Sequence, residues 1–276
     1  MNILGIDFEE WFHPELIQRY IKTENREFKI INGLDKILEF LNDKNTFATF
    51  FMVGEILEKY PEALDKILSN GHEIAFHTMY HSRLDLMNSI EFTNELEIFS
   101  KLSNKKSKGF RAPTFSLNQK SSWAIDVLKK FNYLYDSSIV PAKSLMYGNS
   151  DAPRQPYKIS SNLLYQNHEN SKMIEFPLMV TKFLGKTIPS SGGFYLRTLP
   201  FKVIKDSIFK YQQKNIPSTF YIHSWEMTPE YMPRISLSTK DRFITYHNLD
   251  GVLNKMDFLL ENFSFTSFER YIKNYF

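Results

Sequence analysis

Two rhythms of apolar residues alternate along this chain. The opening "NILGID" (residues 2–7) is a short, nearly continuous apolar run and predicts a buried strand that starts almost at once. "INGLDKILEFLNDKN" then repeats at helical spacing through Ile31, Leu34, Ile37, Leu38 and Leu41. "TFATFFMVG" (46–54) is β-rich, and "YPEALDKILSNG" (60–71) reads as a helix begun by proline and stopped by glycine. The strand "HEIAFH" (72–77), the helix "SIEFTNELEIFSKLSN" (89–104), the strand "KGFRAP" (108–113), the helix "SSWAIDVLKKFN" (121–132) and the strand "YLYDSS" (133–138) follow in turn. Strand and helix alternate at least four times before Asp136, which predicts a parallel α/β architecture. Residues 141–191 are less regular and read as long loops around the strand "KMIEFPLM" (172–179). Regular patterning resumes with a helix at 199–215, a strand at 218–225, a helix at 249–263, "SFTSF" and a short terminal helix. No repeat, low-complexity run or flexible linker interrupts the 276 residues, so a single domain, 1–276, is expected.

Composition narrows the chemistry. There is no cysteine, so disulfides and thiolate metal sites are excluded and any metal must sit on His, Asp or Glu. The formal charge is +3 and spread along the chain, with no basic block of the kind that binds nucleic acid. No stretch approaches the roughly 20 apolar residues of a membrane span, and no signal-peptide pattern opens the chain. These features lead to an expectation of a cytoplasmic protein, working at most at the inner face of the membrane. Aromatic residues are abundant at 16 %, enough for a dense core and for rings that stack on sugars.

The strand ends carry the candidate chemistry. "ILGID" ends at Asp7, "HEIAFH" at His77, "GFRAP" at Arg111 and "FYIH" at His223. In a barrel of parallel strands the C-terminal ends converge on one face, where active sites are built. His77 and His81 stand four apart, and a helical turn after the strand would put both on one side, able to grip one ion. A carboxylate is the natural third ligand, and "DFEE" offers one. In an extended strand Asp7 and Glu9 point to the same side and Glu10 points away.

The ordered set "GIDFEEWFH", "TFFMVG", "GHEIAFHTMYH", "GFRAPTF", "YDSS" and "YIHSW" resembles the NodB-type polysaccharide deacetylases, carbohydrate esterases of the family 4 kind, from residue 3 to about 250. "DFEEWFH", "GFRAPTFSL", "YDSSIVP…YGNSDAPR" and "HSWE" are similar to a subgroup associated with exopolysaccharide biosynthesis. The resemblance implies a distorted (β/α)7-type barrel, a divalent metal that is usually zinc, and removal of an N-acetyl group from an amino sugar. By motif, Asp7 matches the catalytic base and Glu9, His77 and His81 the metal ligands. Arg111 and Pro113 match the motif whose arginine orients the base, and His223 matches the general acid. The subgroup usually reads D-x-E-D where this chain has Glu10, which leaves Glu9 and Glu10 both open as the metal carboxylate.

Amide hydrolysis suits such a set. A Lewis acid must activate both carbonyl and water, and a His₂–carboxylate site accepts Zn2+, Co2+, Ni2+ or Mn2+ while leaving positions open. Asp7 would take the proton from the water, a backbone N–H near Phe115 would stabilise the oxyanion, and His223 would protonate the amine. Asp136 or Glu175 could supply the carboxylate behind His223. Trp225 and Tyr80 are candidates for stacking on the N-acetylated saccharide. Two rival readings are a glycan-binding pseudo-enzyme, its first motif altered by the glutamates, and an amidohydrolase of a non-sugar amide. The oligomeric state is open.

Overall fold

A computed structural model describes residues 1–144 and 147–276. Its strands are β1 (Asn2–Phe8), β2 (Thr49–Met52), β3 (Glu73–Phe76), β4 (Gly109–Phe110), β5 (Tyr135–Asp136), β6 (Tyr157–Lys158), β7 (Ile174–Glu175), β8 (Val180–Phe183), β9 (Lys186–Pro189), β10 (Thr219–His223) and β11 (Phe265–Thr266). The main sheet runs β10-β1-β2-β3-β4-β5-β7-β6, with β11 beside the first residues of β1. All its pairings are parallel except β6 with β7. Beyond β7 the chain reaches round to β10 through a bridge between Leu178 and Thr219, so seven parallel strands curl into the expected distorted barrel.

Strand parity decides which side chains enter the barrel. In β1, Leu4, Ile6 and Phe8 join the large core under the helices, with Phe50, Met52, Ile74, Phe76, Phe220 and Ile222 from neighbouring strands. Ile3 points the other way and packs with Phe51, Ala75, Tyr135, Ile174, Phe176 and Phe268 inside the barrel. Gly5 and Asp7 share that inner side. Gly5 has no side chain for a reason: a Cβ there would lie 2.8 Å from the Phe51 ring and 2.9 Å from the Arg111 guanidinium. The interior therefore has room for one large cation because β1 leaves a gap for it.

The helices Ile31–Asp43, Glu62–Ser69, Ser89–Leu102, Trp123–Lys130, Phe201–Gln213 and Val252–Asn262 lie within the predicted segments. Several features differ from the sequence expectation, among them the following. The irregular stretch contains an antiparallel β8–β9 hairpin, turned by Leu184 and Gly185, both at positive φ; residues 145 and 146 of that stretch lie outside the described residues. Of "KMIEFPLM", only Ile174 and Glu175 form the strand β7. A helix at Thr239–Tyr246 was not expected, because its eight residues carry little apolar patterning; Ser238 caps it by accepting the Asp241 N–H. Among the described residues no helix is long and apolar enough to cross a membrane.

Candidate metal and acid–base site

Asp7 ends the inner face of β1 and sits in register with His223 of β10 and Phe51 of β2. Arg111 is fully buried and donates from Nη1 to Asp7 Oδ1 at 2.5 Å. Its other donors reach the Ser137 carbonyl and hydroxyl, both at 3.0 Å, and its plane lies 3.8 Å from the Phe51 ring centre. The guanidinium is thus fixed on three sides, and one Asp7 oxygen is fixed with it.

Glu9, His77 and His81 come together: one ligand atom from each lies within 4.8 Å of the others, and all three residues are buried. His77 Nδ1 donates to the Arg111 carbonyl at 2.7 Å, which leaves Nε2 as the acceptor facing the cluster. Burial pulls the His77 imidazole down to about 4, against the opposing pull of Asp7, so it is neutral at physiological pH and free to ligate. Burial alone would raise Glu9, but His81, with His223 and His77, holds it well below the usual carboxylate range. Glu9 Oε2 lies 2.8 Å from His81 Nε2, and Oε1 accepts the Trp225 indole N–H at 2.9 Å. A buried carboxylate, an oriented neutral imidazole and a second buried imidazole are the donor set that a divalent cation requires, so these residues fit the metal implied by the motifs.

The helical turn expected between His77 and His81 is absent. The segment is a bent loop in which Thr78 and His81 take positive φ values of 59° and 56°, and the two rings meet at 5.0 Å. Tertiary contacts impose the bend. The Thr78 and Met79 carbonyls accept from the Gly54 and Glu55 N–H groups, and Glu95 accepts the Met79 N–H. Gly54 permits this docking, since a Cβ there would sit 2.1 Å from the Met79 sulfur.

Glu10 points elsewhere. Its Oε1 accepts the Lys29 and Ile30 N–H groups at 2.8 Å, at the entry to the helix Ile31–Asp43, and burial pushes its carboxyl up to about 7. The geometry therefore favours Glu9 over Glu10 at the cluster. His13 is also buried; it accepts the Glu10 N–H and donates to Glu55, with its ring parallel to His81 at 6.0 Å.

The carboxylate behind His223 is neither Asp136 nor Glu175, and here the sequence reading is corrected. His223 Nδ1 donates to Glu226 Oε2 at 2.8 Å, and Glu226 Oε1 accepts from Arg197 Nε at 2.8 Å. Burial alone would lower the imidazole; Glu226, with Glu9 and Asp7 behind it, outweighs burial and pushes it up to about 9. Gly193 lies against this carboxylate, where a Cβ would be 1.5 Å from Oε2. The cue was present in "HSWE", a carboxylate three residues after the histidine at the start of a helical turn, whereas Gly193 and Arg197 carried none.

Asp136 and Glu175 are paired in register across β5 and β7. Their neighbours Tyr135, Ile174 and Phe176 fill the barrel, so parity turns both acids to the outer side, away from His223. Ser138 donates to Asp136 and the Ile139 N–H to Glu175, with Arg111 and Tyr157 the nearest other ionisable groups. Burial raises both carboxyls, so the folded pair keeps a proton that the unfolded chain releases above about pH 4. Its contribution to stability therefore falls as pH rises. Glu175→Gln keeps an acceptor for Ile139 without needing that proton. The melting temperature of this variant relative to wild type should rise between about pH 5 and pH 8, and a constant difference would refute the shared proton.

The remaining expected contacts divide. Trp225 is buried, with its ring stacked on His223 at 4.9 Å and its N–H on Glu9, so it supports the site from behind instead of offering a free face. Pro113 is buried. The Phe115 ring packs on Tyr221 at 5.1 Å, and its N–H donates to the Ala112 carbonyl at 3.0 Å. Tyr80 is 52 % exposed at the rim. Ser224, absent from the sequence reading, ties the "DFE" turn to β10 through the Glu9 backbone N–H and the Asp7 and Glu9 carbonyls.

Comparison with known proteins agrees with this geometry. Residues 32–135 match the family model described as polysaccharide deacetylase, and residues 137–273 match one described as a domain of unknown function (DUF3473). A peptidoglycan-N-acetylglucosamine deacetylase of Bacillus cereus is 35 % identical over 96 residues, 33 % of this chain and 35 % of that protein. The chain thus spans about a third of that relative's length. A crystal structure from Mycobacterium smegmatis, described as a candidate polysaccharide deacetylase, superposes with TM-score 0.62 at 14 % identity, covering 99 % of this chain and 90 % of the other. A 4-alpha-glucanotransferase of Thermococcus litoralis superposes with TM-score 0.58 at 14 % identity, covering all of this chain and 38 % of the other. Likeness at that identity speaks for the fold alone. The deacetylase match over residues 32–135 and the barrel fold together support a NodB-type polysaccharide deacetylase.

Proposed function

We propose that this protein is a metal-dependent hydrolase that removes an N-acetyl group from an amino sugar of a bacterial surface glycan or its precursor, releasing acetate. The carrying observation is the convergence of Glu9, His77 and His81 beside the Asp7–Arg111 pair and the His223–Glu226 pair. A divalent ion held by Glu9, His77 and His81, zinc foremost, would polarise the amide carbonyl and acidify the attacking water. Asp7 takes the proton from that water as the oxygen bonds to the carbonyl carbon, while Arg111 keeps the carboxylate aimed. His223, held through Nδ1 by Glu226, gives its Nε2 proton to the departing amine as the C–N bond breaks. Trp225 keeps both Glu9 and the His223 ring in place. The motif similarity to the exopolysaccharide-associated subgroup supports a role in assembling such a polymer.

The test is metal analysis of the purified full chain together with acetate release from N-acetylated oligosaccharides. Bound zinc and turnover should both be lost in the double variant His77→Ala/His81→Ala. Metal-free, inert wild-type protein that still binds oligosaccharide would establish the binder instead, and acetate release confined to non-sugar amides would move the substrate class.

A further inference from the structure

We infer that the groove formed by Arg234, Thr239, Arg242, Phe243, Tyr246 and His247 binds an anionic group, a carboxylate or phosphate, on the saccharide that the barrel site processes. This rests on the deacetylase reading and adds a substrate class to it. The groove encloses about 560 Å³ beside the helix Thr239–Tyr246. Both arginines are exposed, and among the described residues neither has a carboxylate within 4.0 Å. The one acidic residue of that helix, Asp241, is buried and taken up by Arg19, Tyr20 and Ser238, so it does not neutralise the groove. Arg234 lies over the Tyr246 ring at 4.5 Å, which holds its guanidinium in place. Phe243 is 51 % exposed and stacks on His247. Exposed rings beside unpaired guanidinium groups suit a sugar that carries negative charge, since the rings cover its apolar face and arginine donates to its oxyanions.

The groove is joined to the barrel site by two routes. Arg197, which ion-pairs with Glu226, also donates to the Ile244, Thr245 and His247 carbonyls at the end of the same helix. Tyr246 packs on the apolar cluster that contains Trp225, whose ring stacks on His223. A polymer engaged by the groove is therefore held at a fixed offset from the general acid, which suits recognition of a sugar near the one that is deacetylated.

The experiment is calorimetric titration of the full chain with three probes. These are a hyaluronan hexasaccharide for carboxylates, UDP-N-acetylglucosamine for phosphate, and neutral chitohexaose. One anionic probe should bind more tightly than chitohexaose, and which one does so identifies the source of the charge. Arg234→Gln/Arg242→Gln should weaken that probe roughly tenfold and leave chitohexaose binding and melting temperature unchanged. Added salt should weaken the same probe in the wild type. The inference is overturned if neither anionic probe outbinds the neutral chain, or if the double variant weakens all three alike. Acetate release measured in parallel separates the two ideas: turnover without anion preference sinks only the groove, and anion preference without turnover sinks only the deacetylase.

Discussion

Asp7→Asn is expected to lower acetate release by about 10²–10⁴-fold, the usual contribution of a positioned general base, while leaving bound metal unchanged. The separation follows from the geometry. Asp7 faces Arg111, whereas the three donors that cluster are Glu9, His77 and His81. Asparagine is nearly isosteric and can still accept from Arg111 Nη1, but it cannot accept the proton of the attacking water. Single-turnover acetate assays, paired with metal analysis of the same sample, read both quantities. Near wild-type turnover would remove Asp7 from the proposed chemistry, and loss of metal would mean that it belongs to the ligand set.

The second large effect falls on stability. Arg111→Met should destabilise the fold by about 3–5 kcal/mol, because it leaves the buried Asp7 carboxylate without a counter-charge. At roughly 2–4 °C per kcal/mol for a chain approaching this size, the melting temperature should fall by about 10 °C. Part of the loss is packing, since the guanidinium lies against Phe51 inside the barrel. The double variant Asp7→Asn/Arg111→Met isolates the charge: it should be more stable than Arg111→Met alone. If the two variants melt together, the carboxylate was not penalised by the loss of its partner, and the pair is not the electrostatic unit described above.

The sites of agreement and disagreement between sequence and structure share one cause. Strand parity is local, so Asp7, His77, Arg111 and His223 could be assigned to one face from their places at strand ends, whereas Glu9 and Glu10 both stayed open as the metal carboxylate. The same rule, applied to β5 and β7, turns Asp136 and Glu175 outward, and the register that reveals this comes only from the pairing Asp136↔Glu175. The "HTMYH" loop went the other way. Spacing suggested a helix, but the Gly54, Glu55 and Glu95 contacts bend the backbone through two left-handed residues and still bring the imidazoles together.

By itself the sequence determined the alternation of strands and helices, the chemical types at the strand ends and the order of the deacetylase motifs, because each is written in residues a few positions apart. Only the tertiary structure decided that Trp225 meets Glu9, that Arg197 secures the Glu226 carboxylate, and that the same arginine reaches an arginine-lined groove. Those contacts join segments from opposite ends of the chain, such as Glu9 with Trp225, and no local spacing encodes a distance that folding alone creates.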